Sequence, residues 1–357
     1  MRGTNKMRYN TKELLTVCKQ ASKVLPRSPL NPILACLKLD GYGVQATDLE
    51  TSLNIKLAEL PTSQVVEDEI FILPAKRLVE ILSHITSLFV DIRHGNDKPS
   101  MADIVDTNDN VFSIDNLDHT DYPVTEFHPD IPGIEIEGLG QHLTNINKFC
   151  DQYDTGSVVG GISIKDGALC ATDGNRLSCI ELAEVYKLEA IIPSLAIKQL
   201  SGLLDSSSTL DIRVSEDTRS LKIIGKNWYA IIRLISGQYP LFKKLFPTKT
   251  KQSITIKRLE LLKAIKVLKP SKTDKKPIIK FEGNKVTNST DTITINQDMP
   301  LFGVNPNFLI EALEAFTSDE ITLGYSGPLQ PLIFTDKTTH KHLLMPIDIK
   351  EFNKVTA

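Results

Sequence analysis

Long apolar runs are missing from this sequence, and so is any strong excess of one charge. The longest apolar stretch, around Leu195–Leu204, is broken by polar residues well short of the roughly 20 residues that span a membrane. The first ten residues, MRGTNKMRYN, lack the apolar core of a secretory signal. A formal net charge of −3 is not typical of a chain that binds nucleic acid over its whole surface. We therefore expect a cytoplasmic globular protein.

Cysteine is scarce, and its spacing does not indicate a disulfide framework or a zinc site. The chain has five cysteines, an odd number, and no CxxC motif. The sequence therefore predicts reduced thiols, most of which fill the core. These residues are Cys18, Cys36, Cys150, Cys170 and Cys179.

Motifs for catalysis and for cofactors are also missing. No GxxxxGK[ST] or GxGxxG segment is present, and no pair of carboxylates has the arrangement of a general acid and base. His340 and His342 are two residues apart and would share one face of a strand, but no third ligand has a suitable spacing. An exposed strand is the favoured interpretation of these histidines. The sequence predicts a protein that is not an enzyme and that holds no cofactor or metal.

What the sequence does have is an internal repeat. Residues 46–57 read ATDLETSLNIKL and residues 171–182 read ATDGNRLSCIEL. The TD dipeptide recurs at Asp48, Asp173 and Asp291, each time after a strand-like run and before residues with alternating or β-branched character. Alternation with period two predicts strands on both sides of a turn.

Helix-like segments recur between these strands. In FILPAKRLVEIL, AIIPSLAIKQLSGLL and FGVNPNFLIEALEAF, a short apolar strand meets Pro74, Pro193 or Pro306, and an amphipathic helix follows. Upstream of each TD lies another amphipathic segment: TKELLTVCKQASKVL, LGQHLTNINKFCDQY and IKRLELLKAIKVL. The repeat predicts three similar α+β domains, at 1–128, 129–248 and 249–357, the last with a short C-terminal tail.

Several segments together resemble one known family, the bacterial DNA polymerase III β subunit or sliding clamp. They occur in the family's order: RSPLNPIL, ATDLETSL, LPAKRLVEIL, ATDGNRLS, GQYPLFKKLFP, VNPNFLIEAL and LLMPI. The resemblance implies a head-to-tail homodimer that closes into a ring, with helices inside and antiparallel sheets outside. It also implies a non-catalytic processivity factor that encircles double-stranded DNA.

The resemblance implies two functional surfaces, of which the first faces DNA. A sliding protein should contact phosphates rather than bases, because base contacts would hold it at one sequence. The basic residues assigned to this surface are Lys12, Lys19, Lys23, Arg27, Lys198, Lys263 and Lys266. For Arg27, a role as the cation that stabilises a helix C-terminus is an equally good interpretation.

The second implied surface is a cleft that takes peptides of the Gln-Leu-x-Leu-Phe type from the clamp loader, from the polymerase III catalytic subunit and from other partners. Leu, Met, Pro and Ile suit an apolar anchor, and the resemblance assigns polar contacts to Thr172 and Arg176. Asp173 is better explained as a turn residue. The cleft residues are Val159, Thr172, Gly174, Asn175, Arg176, Leu177, Pro240, Lys244, Leu245, Leu343, Leu344, Met345, Pro346 and Ile347.

Some positions depart from the family pattern and leave alternatives open. The chain continues past Ile347 as DIKEFNKVTA, which could cover the cleft, and Asn175 and Lys244 replace the His and Arg that are frequent in the family. A clamp-derived adaptor that keeps the cleft without forming a ring is one alternative. An enzyme that uses Asp173 is the other, and it lacks a base or nucleophile to pair with this carboxylate.

Overall fold

The computed structural model describes residues 6–57, 69–95, 100–128, 133–154, 156–182, 188–205, 209–268, 277–336 and 339–350. The chain divides into two compact units. The first comprises residues 1–141 and 195–234, and the second comprises residues 142–194 and 235–357. Within the described ranges, no helix is long and apolar enough to cross a membrane.

The six α-helices of the described residues all lie in segments that the sequence predicts to be helical. They are α1 (Thr11–Ala21), α2 (Ala75–His84), α3 (Leu139–Ile146), α4 (Ser194–Leu204), α5 (Arg258–Val267) and α6 (Pro306–Ala315). Asparagine side chains define two of the helix starts. Asn10 accepts a hydrogen bond from the Glu13 amide, and Asn305 accepts one from the Asn307 amide beside Pro306 at the first helical position. These caps satisfy amides that have no partner within the helix.

The strands follow the same order as the repeat. The first eleven are β1 (Lys6–Asn10), β2 (Cys36–Leu39), β3 (Gly43–Thr47), β4 (Thr51–Lys56), β5 (Phe71–Pro74), β6 (Phe89–His94), β7 (Met101–Asp106), β8 (Val111–Asp115), β9 (Ile134–Glu137), β10 (Gly161–Lys165) and β11 (Ala168–Thr172). The remainder are β12 (Arg176–Glu181), β13 (Ala190–Pro193), β14 (Thr209–Val214), β15 (Ser220–Ile224), β16 (Trp228–Arg233), β17 (Gln252–Lys257), β18 (Ile279–Thr287), β19 (Thr292–Val304), β20 (Glu320–Tyr325), β21 (Leu332–Thr335) and β22 (His340–Leu344).

Each unit is built on one eight-stranded sheet. The sheet of the first unit has the order β5-β2-β3-β4-β16-β15-β14-β9, and a separate four-stranded sheet has the order β1-β6-β7-β8. The sheet of the second unit has the order β13-β10-β11-β12-β22-β21-β20-β17, and β18 pairs with β19 in a two-stranded ribbon. Neighbouring strands of these sheets are antiparallel within the described residues. The pairs β4 with β16 and β12 with β22 join strands from different repeats.

A strand, a helix and further strands recur six times along the element order. The α+β architecture of repeated clamp-like domains is therefore confirmed, whereas the three domain boundaries stay a prediction. The two compact units cut through the middle predicted domain because its strands divide between the two eight-stranded sheets. In the fifth repeat, β18 and β19 are long strands that pair along their length, with register shifts around Gly283, and β19 leads directly into α6.

The core corrects two predictions made from the sequence. Cys170 and Cys179 form a disulfide, because they are opposite each other on β11 and β12 with Cα atoms 4.3 Å apart. The expectation of reduced thiols therefore holds only for Cys18, Cys36 and Cys150, which are buried and outside the disulfide. The two histidines predicted on an exposed strand do lie on β22, but both are buried because this strand is central in its sheet.

Candidate partner-binding site

The turn between β11 and β12 follows directly from the ATDGNR phrase. The Asp173 carboxylate accepts hydrogen bonds from the amides of Asn175 (3.0 Å) and Arg176 (3.1 Å), and Gly174 has a φ of +85°. This geometry confirms Asp173 as a turn residue. The first copy has the same turn, in which Asp48 accepts bonds from two amides.

The third copy of this turn is shifted relative to the TD dipeptide. Asn288 accepts hydrogen bonds from the amides of Thr290 and Asp291, and it directly follows the end of β18. Asn288 therefore takes the part of Asp48 and Asp173, and the prediction that Asp291 is the third equivalent residue is wrong. An amide oxygen accepts the same two hydrogen bonds as a carboxylate, so the turn does not need aspartate.

Alternation along β12 separates the predicted cleft residues onto two sides of the sheet. On one side, which we call the groove face, Leu177 packs with Cys170, Cys179 and Leu343. On the other side, the helix face, Arg176 lies directly opposite Leu344 in the strand register, and Leu344 is fully buried. Because neighbouring residues of a strand point to opposite faces, the side chains of Arg176 and Leu177 leave the sheet on opposite sides.

The groove face carries an apolar surface with a buried floor and exposed walls. Leu177 and Leu343 form part of the floor, and Phe242 from the segment after Tyr239-Pro240 packs against them. Leu245 and Met345 remain about half exposed, with 50% and 42% of their surface accessible. The Tyr239 hydroxyl accepts a hydrogen bond from the Thr172 amide at 3.1 Å, which fixes the Tyr239 segment on the sheet.

Backbone contacts position the other predicted cleft residues. The Met345 amide donates to the carbonyl of Asn175 at 2.9 Å, so the terminal strand continues beside the turn. The Ile347 amide then donates to the carbonyl of Gly303 on β19 at 2.8 Å. Gly174, Asn175, Pro240 and Lys244 are exposed, whereas Pro346 and Val159 are half-buried. Residues 351–357 of the tail lie outside the described residues.

Arg176 is enclosed on the helix face and makes a dense set of polar contacts. Its guanidinium donates to Asp173 at 2.9 Å, to the carbonyl of Lys148 at 2.6 Å and to Glu311 of α6. It also lies over the rings of Phe149 and Phe308, at 4.9 Å and 4.3 Å from their centroids. With 6% of its surface accessible, Arg176 holds the turn and α6 together rather than presenting a donor to a peptide.

Next to Arg176, the helix face contains aromatic rings and histidines. The His342 ring stacks on Phe149 at 4.9 Å and meets the edge of Phe316 at 4.5 Å. Burial, followed by the charges of His340 and Arg176, lowers the pKa of His342 to about 3. His342 is therefore a neutral core residue at neutral pH. No group of three or more His, Cys, Asp or Glu within the described ranges is arranged to hold a metal.

The predicted DNA-contacting residues lie on exposed surfaces of three helices. In the first unit, Lys12 and Lys19 lie on α1 and Lys198 lies on α4, while Lys23 follows α1 and approaches Gly202 of α4. The side chain of Gln199 donates to the carbonyl of Val24 at 3.2 Å, so the end of α1 and α4 form one surface.

The other three predicted DNA-contacting residues, Arg27, Lys263 and Lys266, differ in their surroundings. Arg27 is exposed and lies well beyond the end of α1 at Ala21, so its interpretation as a helix-terminus cation is wrong. In the second unit, Lys263 and Lys266 are exposed on α5, and the Lys266 ammonium pairs with Glu314 of α6 at 2.7 Å. Glu311 and Glu314, the acidic residues of α6, thus both pair with basic residues.

Comparisons with known proteins agree with this arrangement over nearly the whole chain. Residues 5–126 match the model of the DNA polymerase III beta subunit, N-terminal domain. A beta sliding clamp from Halalkalibacterium halodurans is 24% identical, with 91% of this chain and 95% of the relative covered. The chain is thus similar to β sliding clamps over nearly its whole length. A beta sliding clamp from Chlamydia pneumoniae is 21% identical over 95% of this chain and 98% of its own length.

Solved clamp structures show the same fold. The DNA polymerase sliding clamp from Bacillus subtilis superposes with a TM-score of 0.84 at 19% identity, covering 97% of this chain and 99% of the other. The family resemblance identified from the sequence is therefore confirmed.

Sequence reasoning did not predict the Cys170–Cys179 disulfide or the ion pair between Arg176 and Glu311. The alternation of Cys170, Thr172, Leu177 and Cys179 is visible in the sequence, and it would have placed all four on one face. In contrast, no local pattern indicates that Glu311 pairs with Arg176, because 135 residues separate them.

Proposed function

We propose that this chain is a DNA sliding clamp, a non-catalytic processivity factor that encircles duplex DNA and tethers DNA polymerase III. The observation that carries this proposal is the match of nearly the whole chain, in sequence and in fold, to β sliding clamps. The groove face, where the partly exposed Met345 follows the buried Leu343, suits an apolar peptide anchor and supports a tethering role. The proposed location is the bacterial cytoplasm, where such a clamp works.

The DNA contact is assigned to the exposed lysines of α1, α4 and α5. Ammonium groups on long side chains attract phosphates without reading bases, and this lets a protein slide. Lys12, Lys19 and Lys198 are exposed, whereas Lys266 is partly neutralised by Glu314. The first unit therefore supplies more of the free positive charge than α5 and α6 do.

The partner contact is assigned to the groove face around Leu177, Leu343 and Met345. An apolar anchor of a Gln-Leu-x-Leu-Phe peptide would cover the exposed Leu245 and Met345 and rest on the buried leucines. Arg176 supports this site from the helix face. The partners implied by the family are the clamp loader, the polymerase III catalytic subunit and other proteins with such peptides, and the assembly is a head-to-tail homodimer.

Titration of a fluorescently labelled Gln-Leu-x-Leu-Phe peptide tests this proposal. We expect saturable binding that Met345→Ala weakens, because truncation removes an exposed part of the apolar wall. Leu88→Ala, which truncates a leucine of similar exposure in the first unit, is the control and should bind as the parent does. If the folded protein shows no saturable binding, or if both variants lose it equally, the assignment of the groove is wrong.

A further inference from the structure

Equivalent faces of the two eight-stranded sheets carry different side chains at matching positions. In the first unit, Gln45 on β3 is opposite Asn54 on β4, and in the second unit Cys170 on β11 is opposite Cys179 on β12. Two residues before Asn54 on β4, Ser52 is opposite Ile231 of β16. Two residues before Cys179 on β12, Leu177 is opposite Leu343 of β22. The fold therefore accepts amide side chains where the second copy has two cysteines.

The segments that cover these faces are equivalent as well. Tyr122-Pro123 lies over the first sheet, where the Tyr122 hydroxyl donates to the carbonyl of Gln45 at 3.2 Å. Tyr239-Pro240 lies over the second sheet, where the Tyr239 hydroxyl binds the Thr172 amide. In the first copy the Ser52 and Thr125 hydroxyls are 2.6 Å apart, so polar groups fill the position that Leu177 occupies in the second.

The cysteine pair in the second copy lies directly beneath the predicted peptide surface. Cys170, Cys179, Leu177, Leu343 and Phe242 belong to one packed cluster. The disulfide therefore contacts the same apolar floor on which a partner peptide would rest. Cys170 is fully buried, and Cys179 keeps 5% of its surface accessible.

We propose that the Cys170–Cys179 pair is a redox-sensitive floor of the partner groove, and that the disulfide is the state with high affinity for the peptide. This inference rests on the proposed function of the groove. The cytosol keeps thiols reduced, and cytosolic disulfides are therefore usually transient or redox-sensing. The pair would report oxidation through the strength of partner binding.

The chemical step is thiol–disulfide exchange in two stages. A thiolate of an external dithiol attacks one sulfur, the Cys170–Cys179 bond breaks, and a mixed disulfide forms. The second thiol of the reagent then releases the protein sulfur, so the reagent ends as a disulfide and both cysteines end as protonated thiols. Oxidation by a small-molecule disulfide runs the same exchange in reverse, and that oxidant leaves as two thiols.

The two states differ in the space that the sulfurs need. Bonded sulfurs are about 2.05 Å apart, whereas non-bonded heavy atoms prefer separations of about 3.5–4 Å. Reduction therefore pushes the sulfurs apart inside a closely packed cluster, and such overpacking is unfavourable. The strands are held by their ladders, so Phe242 and its exposed segment are the parts that shift, and the floor under Leu177 changes shape.

Peptide affinity of the full chain, measured in both redox states, tests the inference. The protein is oxidised with glutathione disulfide or reduced with dithiothreitol, free thiols are counted in denaturant, and the labelled Gln-Leu-x-Leu-Phe peptide is titrated. We expect three thiols and tight binding after oxidation, then five thiols and roughly tenfold weaker binding after reduction. The double variant Cys170→Ala, Cys179→Ala should bind equally under both conditions. Cys150→Ala, which changes a buried cysteine outside the disulfide, should keep the redox response of the parent.

Each outcome decides between the two proposals. Equal or tighter binding after verified reduction overturns the redox inference and leaves the groove in place. Five thiols after oxidation also overturn it, since the bond then does not form. Absence of peptide binding in both states and in the double variant removes the proposed groove, and the redox inference with it. A response that persists in the double variant assigns the effect to other cysteines and overturns the inference.

Discussion

At the scale of single residues, the repeated turn shows where this sequence carries strain. Leu49 has a φ of +77°, in the left-handed region, at the position where the second copy has Gly174 with +85°. For an L-residue this conformation costs about 1–2 kcal/mol. The Leu49 side chain is 58% exposed, so burial returns little of that cost.

Leu49→Gly should therefore stabilise the protein. The strain is removed, and part of the gain, about 0.5–1 kcal/mol, is lost to the greater freedom of glycine in the unfolded chain. We expect the free energy of unfolding to rise by roughly 0.5–1 kcal/mol in urea titrations. The mirror-image control is Gly174→Ala, which meets open space but keeps the positive φ, and it should destabilise by a similar amount. Two shifts of the same sign would contradict this account.

Arg176 shows how one predicted site residue can have a structural role. The resemblance assigned it to the cleft, and the structure turns its guanidinium to Asp173, Glu311 and the Lys148 carbonyl. Its neighbour Leu177 lies on the groove face. A single step along a strand thus separates a supporting residue from a contacting one.

At the scale of elements, buried histidines on β22 and beside it make the free energy of unfolding depend on pH. Burial lowers the pKa of His342 to about 3, and it also lowers the pKa values of His142 and His340. In the unfolded chain a histidine titrates near about 6.5. Between these values the unfolded chain binds protons that the folded chain does not, so stability is present above pH 6.5 and is lost as the pH falls.

We expect the free energy of unfolding to fall by roughly 3 kcal/mol from His342 alone between pH 6.5 and pH 4. Urea titrations at pH 7, 5.5 and 4 measure this slope. His342→Phe should flatten it and cost little at pH 7, because neither ring nitrogen has a hydrogen-bond partner within the described structure. An unchanged slope in that variant would place the pH dependence elsewhere.

Much of the secondary structure was predictable from the sequence, because the signals for helices and strands lie close together in the chain. Helices α1 to α6 follow apolar periodicity, and proline or asparagine lies at the start of α1, α2, α4 and α6. Those signals lie within about a dozen residues. The alternation around the repeated turn likewise predicted strands. The pairing of β12 with β22 and of Arg176 with Glu311 joins residues far apart in sequence, and the resemblance brought only the first two segments together.

At the scale of the whole molecule, closure of the proposed ring requires strand edges that join two copies of the chain. Two sheet edges in the described structure are candidates for joining copies of the chain. β8 ends the four-stranded sheet of the first unit, where Val111 is 49% exposed, and the β18–β19 ribbon has only two strands. Exposed edges pair readily with another strand, so a head-to-tail contact would use and protect them.

Ring closure predicts that this protein is retained on DNA by topology rather than by affinity. We expect the protein, once loaded by a clamp loader from a related bacterium, to stay on nicked circular plasmid through gel filtration at high salt. Salt weakens lysine–phosphate attraction, but it cannot release a closed ring from a circle. Linearising the plasmid should release the protein, because a sliding ring then runs off an end. Retention that depends on salt and not on circularity would instead favour the adaptor without a ring.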